Sequence, residues 1–296
     1  MEASVGAINR YPVKSMLGEQ LDQAVVGVGG LLGDRGYAVV DVADGKVGSA
    51  KNPGKWRGLL ACRAEYLTGP EPDQPPPPAL ISLPDGAQIR TDDPDVDSVL
   101  SKLLDRPVRL DVTVPAPVAP LVLDEVWPDI DGLAPEEFVE STRVGATEAG
   151  EAISAIPMAM FAPPGTFFDL STLHLLTTAT LAHLQELEPA ATFDVRRYRP
   201  NVLVETDDAG FVENDWVGGR VGLGSGLVAS VVLPTMRCVM TTLAQEDLPQ
   251  DRATLKAIAR HNRLEIAGFG TWACAGVYAT VESPGTISLG DPVTVL

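Results

Sequence analysis

The sequence predicts a mainly β protein of the α+β class with only a few helices. Most of the chain consists of short segments rich in β-branched and aromatic residues, and 28 glycines and 25 prolines are spread among them. Short strands between glycine- and proline-containing turns are typical of β-barrels. Only three segments show the apolar spacing of an amphipathic helix, and they comprise residues 95–104, 171–187 and 251–261.

Turn signals define the strands of the N-terminal third. Residues 5–11 and 36–42 have the composition of strands. Residues 70–78 are rich in proline and are predicted to form a loop, because proline lacks the backbone N–H that a helix or a central strand requires. Pro84-Asp-Gly86 is a turn signal between two short apolar segments and predicts a β-hairpin.

The C-terminal half combines one long helical segment with further strands. Residues 114–165 are acidic and contain several prolines, and we expect them to connect two lobes. Residues 171–187 are the strongest helix prediction, because they are amphipathic and end just before Pro189. From Val202 onward the composition is again that of strands, and two strands joined by a Ser-Pro-Gly turn are expected within residues 280–296.

Composition and charge exclude several classes of function. The 296 residues are 45% hydrophobic and carry a formal net charge of −18. No nucleic-acid partner is expected, since such binding requires clustered lysines and arginines. The first residues lack the basic and apolar regions of a signal peptide, and no apolar run approaches the roughly 18 residues of a transmembrane helix. We therefore expect a cytoplasmic protein without a membrane partner.

The three cysteines do not fit a disulfide framework or a metal cluster. Cys62, Cys238 and Cys274 are far apart, no Cys-x-x-Cys occurs, and the three histidines are scattered. A structural zinc ion requires about four closely spaced nitrogen or sulfur ligands, and an iron–sulfur cluster requires about four thiolates. We expect neither group. Core packing is the expected role of Cys62 and Cys274.

Cys238 lies in Pro234-Thr-Met-Arg-Cys-Val-Met-Thr-Thr242, a segment with the composition of a strand. The residues alone leave two interpretations open. The cysteine is either a buried structural residue or a reactive thiolate that the neighbouring Arg237 stabilises by lowering the thiol pKa. Adjacent side chains of a strand point to opposite faces, which would turn Arg237 away from the thiol.

A lysine, a serine and an arginine near the N-terminus are candidates for binding an anion. Lys14 and Ser15 end the motif Tyr-Pro-Val-Lys-Ser, and Arg35 lies in Gly-Asp-Arg-Gly-Tyr. A planar guanidinium with several donors suits a phosphate, although exposed Lys-Ser pairs are also common at strand ends. The glycine-rich run 25–33 does not fit the dinucleotide-binding pattern G-x-G-x-x-G, because Leu32 stands where the third glycine is required.

Arg196, Arg197 and Arg199 form the densest basic cluster of this acidic chain. In a strand, alternation would place Arg197 and Arg199 on one face and Arg196 on the other. A charged strand edge that pairs with surplus carboxylates is the alternative interpretation, and it would add little stability.

The order and spacing of these motifs resemble the MOSC (molybdenum cofactor sulfurase C-terminal) family with its companion N-terminal β-barrel domain. The resemblance also includes Phe-Asp-Val-Arg-Arg-Tyr-Arg-Pro-Asn and Phe-Val-Glu-Asn-Asp-Trp, and it extends over nearly the whole chain. The chain is similar to the amidoxime-reducing component proteins of that family. The implied fold is an N-terminal β-barrel-like domain (residues 1–115), a connecting segment (116–145) and a MOSC β-barrel (146–296), with a cofactor in the cleft between the domains.

The resemblance implies which residues hold a molybdenum cofactor, Mo-molybdopterin. Cys238 is the implied molybdenum ligand and catalytic residue, and a soft thiolate suits a metal that already carries dithiolene sulfurs. The implied cofactor-binding residues are Lys14, Ser15, Arg35, Lys51, Arg197, Arg199, Asn201, Thr235 and Arg237. Some eukaryotic relatives have a serine at the position of Met236, so the contact of that serine is either lost here or supplied by Thr235. Glu213 is expected to support the site through a turn.

The implied activity is the two-electron reduction of N-hydroxylated compounds such as amidoximes and hydroxylamines. Electrons would come from a separate redox protein, either a flavoprotein reductase or a ferredoxin. MOSC domains also occur fused to desulfurases, so the alternative is a carrier of molybdenum cofactor or sulfur without turnover of its own. Trp127, Phe167, Phe168 and Asp169 lie in the stretch where substrate specificity is expected.

Overall fold

The computed structural model describes residues 2–113, 166–267 and 270–296, together with the backbone of four short strands between residues 123 and 155. The strands are β1 (Ala3–Arg10), β2 (Glu19–Leu21), β3 (Gln23–Gly27), β4 (Gly30–Leu31), β5 (Tyr37–Asp41), β6 (Val47–Gly48), β7 (Arg63–Tyr66), β8 (Ala79–Ser82), β9 (Gln88–Arg90), β10 (Val108–Val112), β11 (Leu123–Asp124), β12 (Val126–Pro128), β13 (Arg143–Ala146), β14 (Ala152–Ala155), β15 (Leu173–Thr177), β16 (Val202–Thr206), β17 (Arg220–Leu223), β18 (Leu227–Met236), β19 (Arg263–Ile266), β20 (Gly270–Ser283), β21 (Gly285–Ser288) and β22 (Val293–Val295). The helices are α1 (Pro53–Trp56), α2 (Val96–Leu104), α3 (Thr178–Leu187) and α4 (Ala253–His261).

The fold is mainly β, as predicted, and its centre is a nine-stranded sheet. The strand order is β2-β1-β16-β15-β20-β18-β17-β22, and β19 pairs with β20 off this path. The first strand of the chain therefore lies inside a sheet built mostly from the C-terminal half. β15 and β16 are parallel and are connected through α3, the usual solution for parallel neighbours. The other described pairings of this sheet are antiparallel.

Smaller sheets surround the central one, and they pack around separate hydrophobic cores. One four-stranded sheet (β10-β5-β6-β11) and three three-stranded sheets (β12-β14-β13, β21-β3-β4 and β7-β8-β9) complete the described topology. The core of the N-terminal part includes Trp56, Leu59 and Leu100. A further core joins Val40 of β5 to Met236 and Trp272, at the end of β18 and within β20. That core supports the segment that follows β18.

Several predicted elements are confirmed. The hairpin around residues 84–86 is formed by β8 and β9, which pair with Leu80 opposite Arg90. The helix predicted at 95–104 is α2, and the one predicted at 251–261 is α4. Residues 70–78 contain no helix or strand. In each case the signal is local, so the turn residues or the apolar spacing of the segment itself are sufficient to predict its secondary structure.

Three local predictions are wrong. The helix predicted at 171–187 begins only at Thr178, because residues 173–177 are buried on both faces between neighbouring strands of the central sheet. A fully buried strand has a continuous apolar run that resembles one face of a helix. The strand predicted around Cys238 ends at Met236 and continues into a 3₁₀ turn over residues 239–242. Residues 195–197 also form a 3₁₀ turn rather than a strand.

The two predicted domains share secondary structure. β1 contributes Val5 and Ile8 to the core of the central sheet, whereas Val13 and Met16, a few residues later, belong to the N-terminal core. The boundaries at residues 115 and 145 stay a prediction, since the connecting segment falls largely outside the described residues. None of the helices in the described part of the chain has the length and apolar character needed to cross a lipid bilayer.

Candidate functional site

The register of neighbouring strands brings distant parts of the chain to one place. β1 and β16 are antiparallel with Ile8 opposite Val202, so the residues that follow β1 lie beside those that precede β16. β15 pairs with both β16 and β20, and β20 pairs with the end of β18. The backbone of Asn201 donates to the carbonyl oxygen of His174 at 2.8 Å. Residues 11–15, 197–201 and 236–238 therefore converge.

A pocket of about 820 Å³, counting the solvent at its mouth, lies where these segments meet. Nine of the ten site residues predicted from the sequence line it. They are Lys14, Ser15, Arg35, Lys51, Arg197, Arg199, Asn201, Arg237 and Cys238. Phe168 and Asp169 also line the pocket, whereas the side chain of Trp127 lies outside the described residues. Early and late parts of the sequence thus contribute to a single concave site, the usual setting for a small-molecule ligand.

Three of the pocket residues have a backbone conformation that is rare outside glycine. Ser15 has a φ of 66°, Arg35 of 51° and Arg199 of 54°. They are half of the six non-glycine residues with positive φ in the described part of the chain. The left-handed region is unfavourable for residues with a Cβ atom, and such conformations concentrate at binding sites, where the surroundings hold them. This clustering is typical of binding sites, and it is independent of the sequence resemblance.

Asp34 organises the N-terminal wall of the pocket. Its buried carboxylate forms an ion pair with Arg35 and accepts hydrogen bonds from the backbone N–H of Tyr11 at 2.8 Å and from Nδ2 of Asn201 at 2.9 Å. The ion pair holds the guanidinium of Arg35 at the pocket wall. Asn201 is held at the same time, because its Oδ1 accepts a hydrogen bond from the backbone N–H of His174 at 3.1 Å.

Two buried lysines flank one carboxylate at the pocket wall. Asp169 forms ion pairs with Lys14 and with Nζ of Lys51, the latter at 3.1 Å. Lys14 also donates to the carbonyl oxygen of Phe167 at 2.9 Å. Burial opposes ionisation of Asp169, but the charges of Lys14, Lys51 and Arg35 outweigh burial and hold the pKa of its carboxyl well below the usual range. Asp169 thus fixes both ammonium groups at the wall of the pocket.

Arg199 is a pocket cation whose charge has little compensation from the described residues. It is 8% exposed, and its Nη1 is buried with no hydrogen-bond partner among the described residues. The guanidinium stacks 4.0 Å from the ring centroid of Tyr11. Burial lowers the pKa of Arg199 to about 10, so the side chain is still charged at neutral pH. A buried, charged donor without an acceptor is costly for the protein alone, and an anionic ligand would provide the missing acceptor.

Arg237 and Arg197, in contrast, hold the backbone around the cysteine. Arg237 donates through Nε to the carbonyl oxygen of Ala275 at 2.8 Å and through Nη1 to that of Tyr198 at 3.0 Å. Arg197 donates to the carbonyl oxygens of Leu243 at 3.1 Å and Pro249 at 2.8 Å. Both residues therefore fix the walls of the pocket, and the one nitrogen of the two groups that is buried without a partner among the described residues is Nε of Arg197.

Cys238 is positioned by the end of β18 rather than within a strand. It is partly exposed and lines the pocket together with Arg237, which does not point away as strand alternation would require. Cys62 and Cys274 are fully buried, and burial raises the pKa of each thiol to about 12. Cys238 is thus the one cysteine among the three that a ligand in the pocket can reach.

Thr235 is placed differently from the other predicted site residues. Its side chain is fully buried, its hydroxyl has no hydrogen-bond partner among the described residues, and it is not part of the pocket lining. Met236 occupies the pocket wall instead. A role of Thr235 in cofactor binding therefore stays a prediction.

Two family models match separate stretches of the chain. The family model described as "MOSC domain" matches residues 164–294, and the one described as "MOSC N-terminal beta barrel domain" matches residues 2–56. Together they include every residue of the pocket. The chain belongs to the MOSC family.

Individual relatives of this MOSC protein are more distant. It is 29% identical over 137 residues to mitochondrial amidoxime-reducing component 1 of Homo sapiens, a stretch that covers 44% of this chain and 38% of the human protein. It is 28% identical over 129 residues to mitochondrial amidoxime reducing component 2 of Bos taurus, covering 42% and 37% of the two chains. The matched stretch is thus less than half of each relative. Among solved structures, the YUAD protein of Bacillus subtilis matches with a TM-score of 0.45 and 12% identity, over 99% of this chain and 94% of that one.

Sequence reasoning missed the contributions of His174 and Tyr278, both of which line the pocket. Neither lies in a recognisable motif, and their position depends on the pairing of β15 with β20, where they are directly opposite each other. Burial raises the pKa of Tyr278, so its phenol keeps its proton at neutral pH. Among the described residues there is no group of three or more histidines, cysteines or carboxylates that could hold a metal ion by themselves.

Glu213 supports the site as expected from its motif. Its carboxylate is fully buried and accepts hydrogen bonds from the hydroxyls of Thr177 at 2.6 Å and Thr180 at 2.7 Å, and from the backbone N–H of Gly276 at 3.1 Å. Gly276 has a φ of 81°, and a Cβ there would lie 2.6 Å from Nε2 of His174 and 3.3 Å from Nη2 of Arg237. Glu213 thus fixes the backbone against which the pocket side chains pack.

Substitution of Asp169 by asparagine is expected to reduce stability in a pH-dependent manner. Loss of the carboxylate removes the counter-charge of two buried lysines and should cost about 2 kcal/mol at pH 7, between the values for surface and buried ion pairs. The folded-state pKa of Asp169 is depressed, so its contribution is present above the unfolded value of about 3.9 and is lost as the pH falls below it. Urea unfolding of both proteins from pH 7 to pH 3 measures the difference.

A difference in unfolding free energy that is constant at neutral pH and shrinks below about pH 4 would support this ion-pair account. Equal stability of the two proteins at pH 7 would contradict it.

Proposed function

We propose that this protein binds molybdenum cofactor in the pocket and uses it to reduce N-hydroxylated compounds. The observation that carries the proposal is the convergence of an accessible thiol, Cys238, with the buried guanidinium of Arg199, whose Nη1 has no acceptor among the described residues. A ligand that satisfies both must combine a thiophilic centre with an anionic group. Molybdopterin carrying molybdenum has this combination, since its metal accepts thiolate and its side chain ends in a phosphate.

The residues of the pocket fit such a cofactor. Arg199 and Arg35 would hold the phosphate or the polar edge of the pterin, and Lys14 and Lys51 add positive charge beside Asp169. Cys238 would supply the protein's ligand to molybdenum. The bound cofactor would provide the two-electron redox chemistry, whereas the protein provides ligation and orientation.

In this proposal, a side chain of the pocket supplies a proton to the substrate. Reduction of an amidoxime or hydroxylamine cleaves the N–O bond, consumes two electrons and two protons, and releases water. Tyr278 lines the pocket and its pKa is raised by burial, so it can donate one of these protons. The depressed pKa of Asp169 keeps its carboxylate ionised, which makes it unsuitable as a proton donor.

The electrons would come from a separate redox protein, a flavoprotein reductase or a ferredoxin. Relatives named amidoxime-reducing components support the choice of N-hydroxylated substrates. A formal net charge of −18 favours a partner with a basic docking surface. The proposal also includes a cytoplasmic location and no nucleic-acid partner.

A carrier of molybdenum cofactor or sulfur, without turnover of its own, is the second candidate. The accessible position of Cys238 would also allow this thiol to take the outer sulfur atom from the persulfide of a donor protein, which breaks the donor's S–S bond and releases its thiol. The carrier would bind the same cofactor but would not reduce a substrate.

A steady-state assay separates the two candidates. The protein, purified from a host that makes molybdenum cofactor, is supplied with an amidoxime and an artificial low-potential electron donor, and formation of the amidine is followed. Sustained turnover that depends on the protein would support the reductase. Cofactor-loaded protein without turnover on amidoximes and hydroxylamines would reject the reductase in favour of the carrier.

A further inference from the structure

His174 connects the two sides of the pocket. Its side chain is buried, with 5% of the residue exposed, and both ring nitrogens have partners. Nε2 lies 2.6 Å from Nη2 of Arg237, the residue that precedes Cys238. Nδ1 lies 3.2 Å from the backbone carbonyl oxygen of Arg199. One imidazole thus spans the distance between the thiol side of the pocket and its anion-binding side.

The partners of the ring determine its protonation. A guanidinium nitrogen can only donate hydrogen bonds, so Nε2 must be the acceptor and carry a lone pair. A carbonyl oxygen can only accept, so Nδ1 must carry the proton. Among the three forms of the ring, the neutral Nδ1–H tautomer satisfies both of these contacts. Either of the other two forms of the ring would break the contact with Arg237.

We propose that His174 is a positioning residue that holds Arg199 and Arg237 in their binding arrangement, and this inference rests on the proposed function. The carbonyl that it binds belongs to the residue with the left-handed backbone, Arg199. Its own backbone is fixed to Asn201 in both directions, by the hydrogen bonds at 2.8 and 3.1 Å described above. Contacts at both ends leave the ring a single orientation.

The surroundings of the ring keep it neutral. Arg237, which follows β18, and Arg35 from the N-terminal segment place positive charge near it, and the ring of Tyr278 in β20 lies 5.6 Å from it between centroids. The backbones of Arg199 and Ala275 form hydrogen bonds with the ring, which favour its protonated form. Burial, followed by the charge of Arg237, holds the pKa of His174 well below its usual range. The Nδ1–H form should thus persist in mildly acidic solution.

Nitrogen-15 spectra of the histidine rings test the tautomer without any cofactor. The chain has only three histidines, so His174→Leu, His183→Gln and His261→Gln variants assign every signal. We expect the proton of His174 on Nδ1 and an unprotonated Nε2 at pH 7. A proton on Nε2, or on both nitrogens, at that pH would overturn the inference.

Cofactor retention tests the positioning role. His174→Leu removes both hydrogen bonds and should retain pterin about tenfold less tightly than the wild type, the effect typical of one or two buried hydrogen bonds. His174→Asn keeps an N–H near the Nδ1 position and should recover part of the loss. His183→Gln is the matched control, since His183 is half-buried beside Phe211 and does not line the pocket.

The measurement is pterin released per protein after dialysis, with thermal unfolding to confirm that each variant is folded. Equal retention by folded His174→Leu and wild type would overturn the positioning role. If His174→Leu does not fold, the pterin retention of His174→Asn and His174→Gln is compared with that of the wild type instead, because each of these variants keeps one hydrogen-bonding group. Absence of pterin from the wild type itself would instead reject the proposed function, and the nitrogen spectra would then decide the inference alone.

Discussion

Replacement of Arg199 by methionine is expected to weaken cofactor binding about tenfold to a hundredfold, the effect of losing a charged hydrogen bond, while leaving the protein at least as stable as the wild type. The two effects have opposite directions because the guanidinium is buried and its Nη1 has no acceptor among the described residues. Methionine replaces the unbranched aliphatic part of the side chain and removes the buried charge together with its stacking on Tyr11. Pterin retention and the unfolding free energy in urea measure the two effects separately.

Arg196→Met is the matched control for this substitution. Arg196 lies in the same segment but forms ion pairs with Asp194, Glu246 and Asp247 at 2.8, 3.1 and 2.6 Å, outside the lining of the pocket. Its replacement should leave pterin retention unchanged. An Arg199→Met protein that keeps the cofactor as tightly as the wild type, or one that loses several kcal/mol of stability, would contradict the assignment of Arg199 as an anion-binding residue.

Fold prediction from this sequence succeeds where the determining interactions are local. The β8–β9 hairpin follows from the turn residues between its strands, and α2 and α4 follow from their own apolar spacing. Residues 173–177 are different, because they lie between two strands that are distant in sequence. Nothing in the segment itself distinguishes a strand buried on both faces from the first turns of an apolar helix. Tertiary burial decides the outcome there.

Prediction of the site likewise succeeds for features set by local motifs and fails for those set by tertiary contacts. Motifs located the pocket residues Lys14, Arg35, Arg199 and Cys238 because each lies in a recognisable segment, and the structure places all four in one pocket. The separate role of each residue could not be predicted, since it depends on hydrogen-bond partners from other strands. Two arginines of one motif illustrate this point. Arg197 donates through Nη1 and Nη2 to loop carbonyls and leaves only its buried Nε without a partner among the described residues. In Arg199 it is the terminal Nη1 that is buried without an acceptor there.

The alternation argument for the arginine cluster gave a correct arrangement for the wrong reason. Arg197 and Arg199 line the pocket and Arg196 does not, as alternation in a strand would require. The segment is a 3₁₀ turn followed by a residue with a left-handed backbone. The direction of each side chain is therefore set by the turn and by the positive φ of Arg199, neither of which composition reveals.

Substitution of Cys238 by serine is expected to remove molybdenum while leaving much of the pterin bound. A change of a direct ligand should cost at least the roughly 10- to 100-fold in metal affinity that is typical of outer-sphere changes. The hard oxygen of serine is a poorer partner for a metal held by sulfur ligands. The arginines and lysines of the pocket are unchanged in this variant, so the phosphate of the pterin keeps its contacts. Cys62→Ala, which changes a buried thiol outside the pocket, should retain both components.

The most direct test of the central claim is the molybdenum and pterin content of the purified wild-type and Cys238→Ser proteins, both produced in a host that makes the cofactor. Near-stoichiometric molybdenum and pterin in the wild type, with selective loss of molybdenum in the variant, is the predicted result. Neither component in a folded wild-type protein, or equal molybdenum in both proteins, would contradict the assignment of Cys238 and its pocket as a molybdenum-cofactor site.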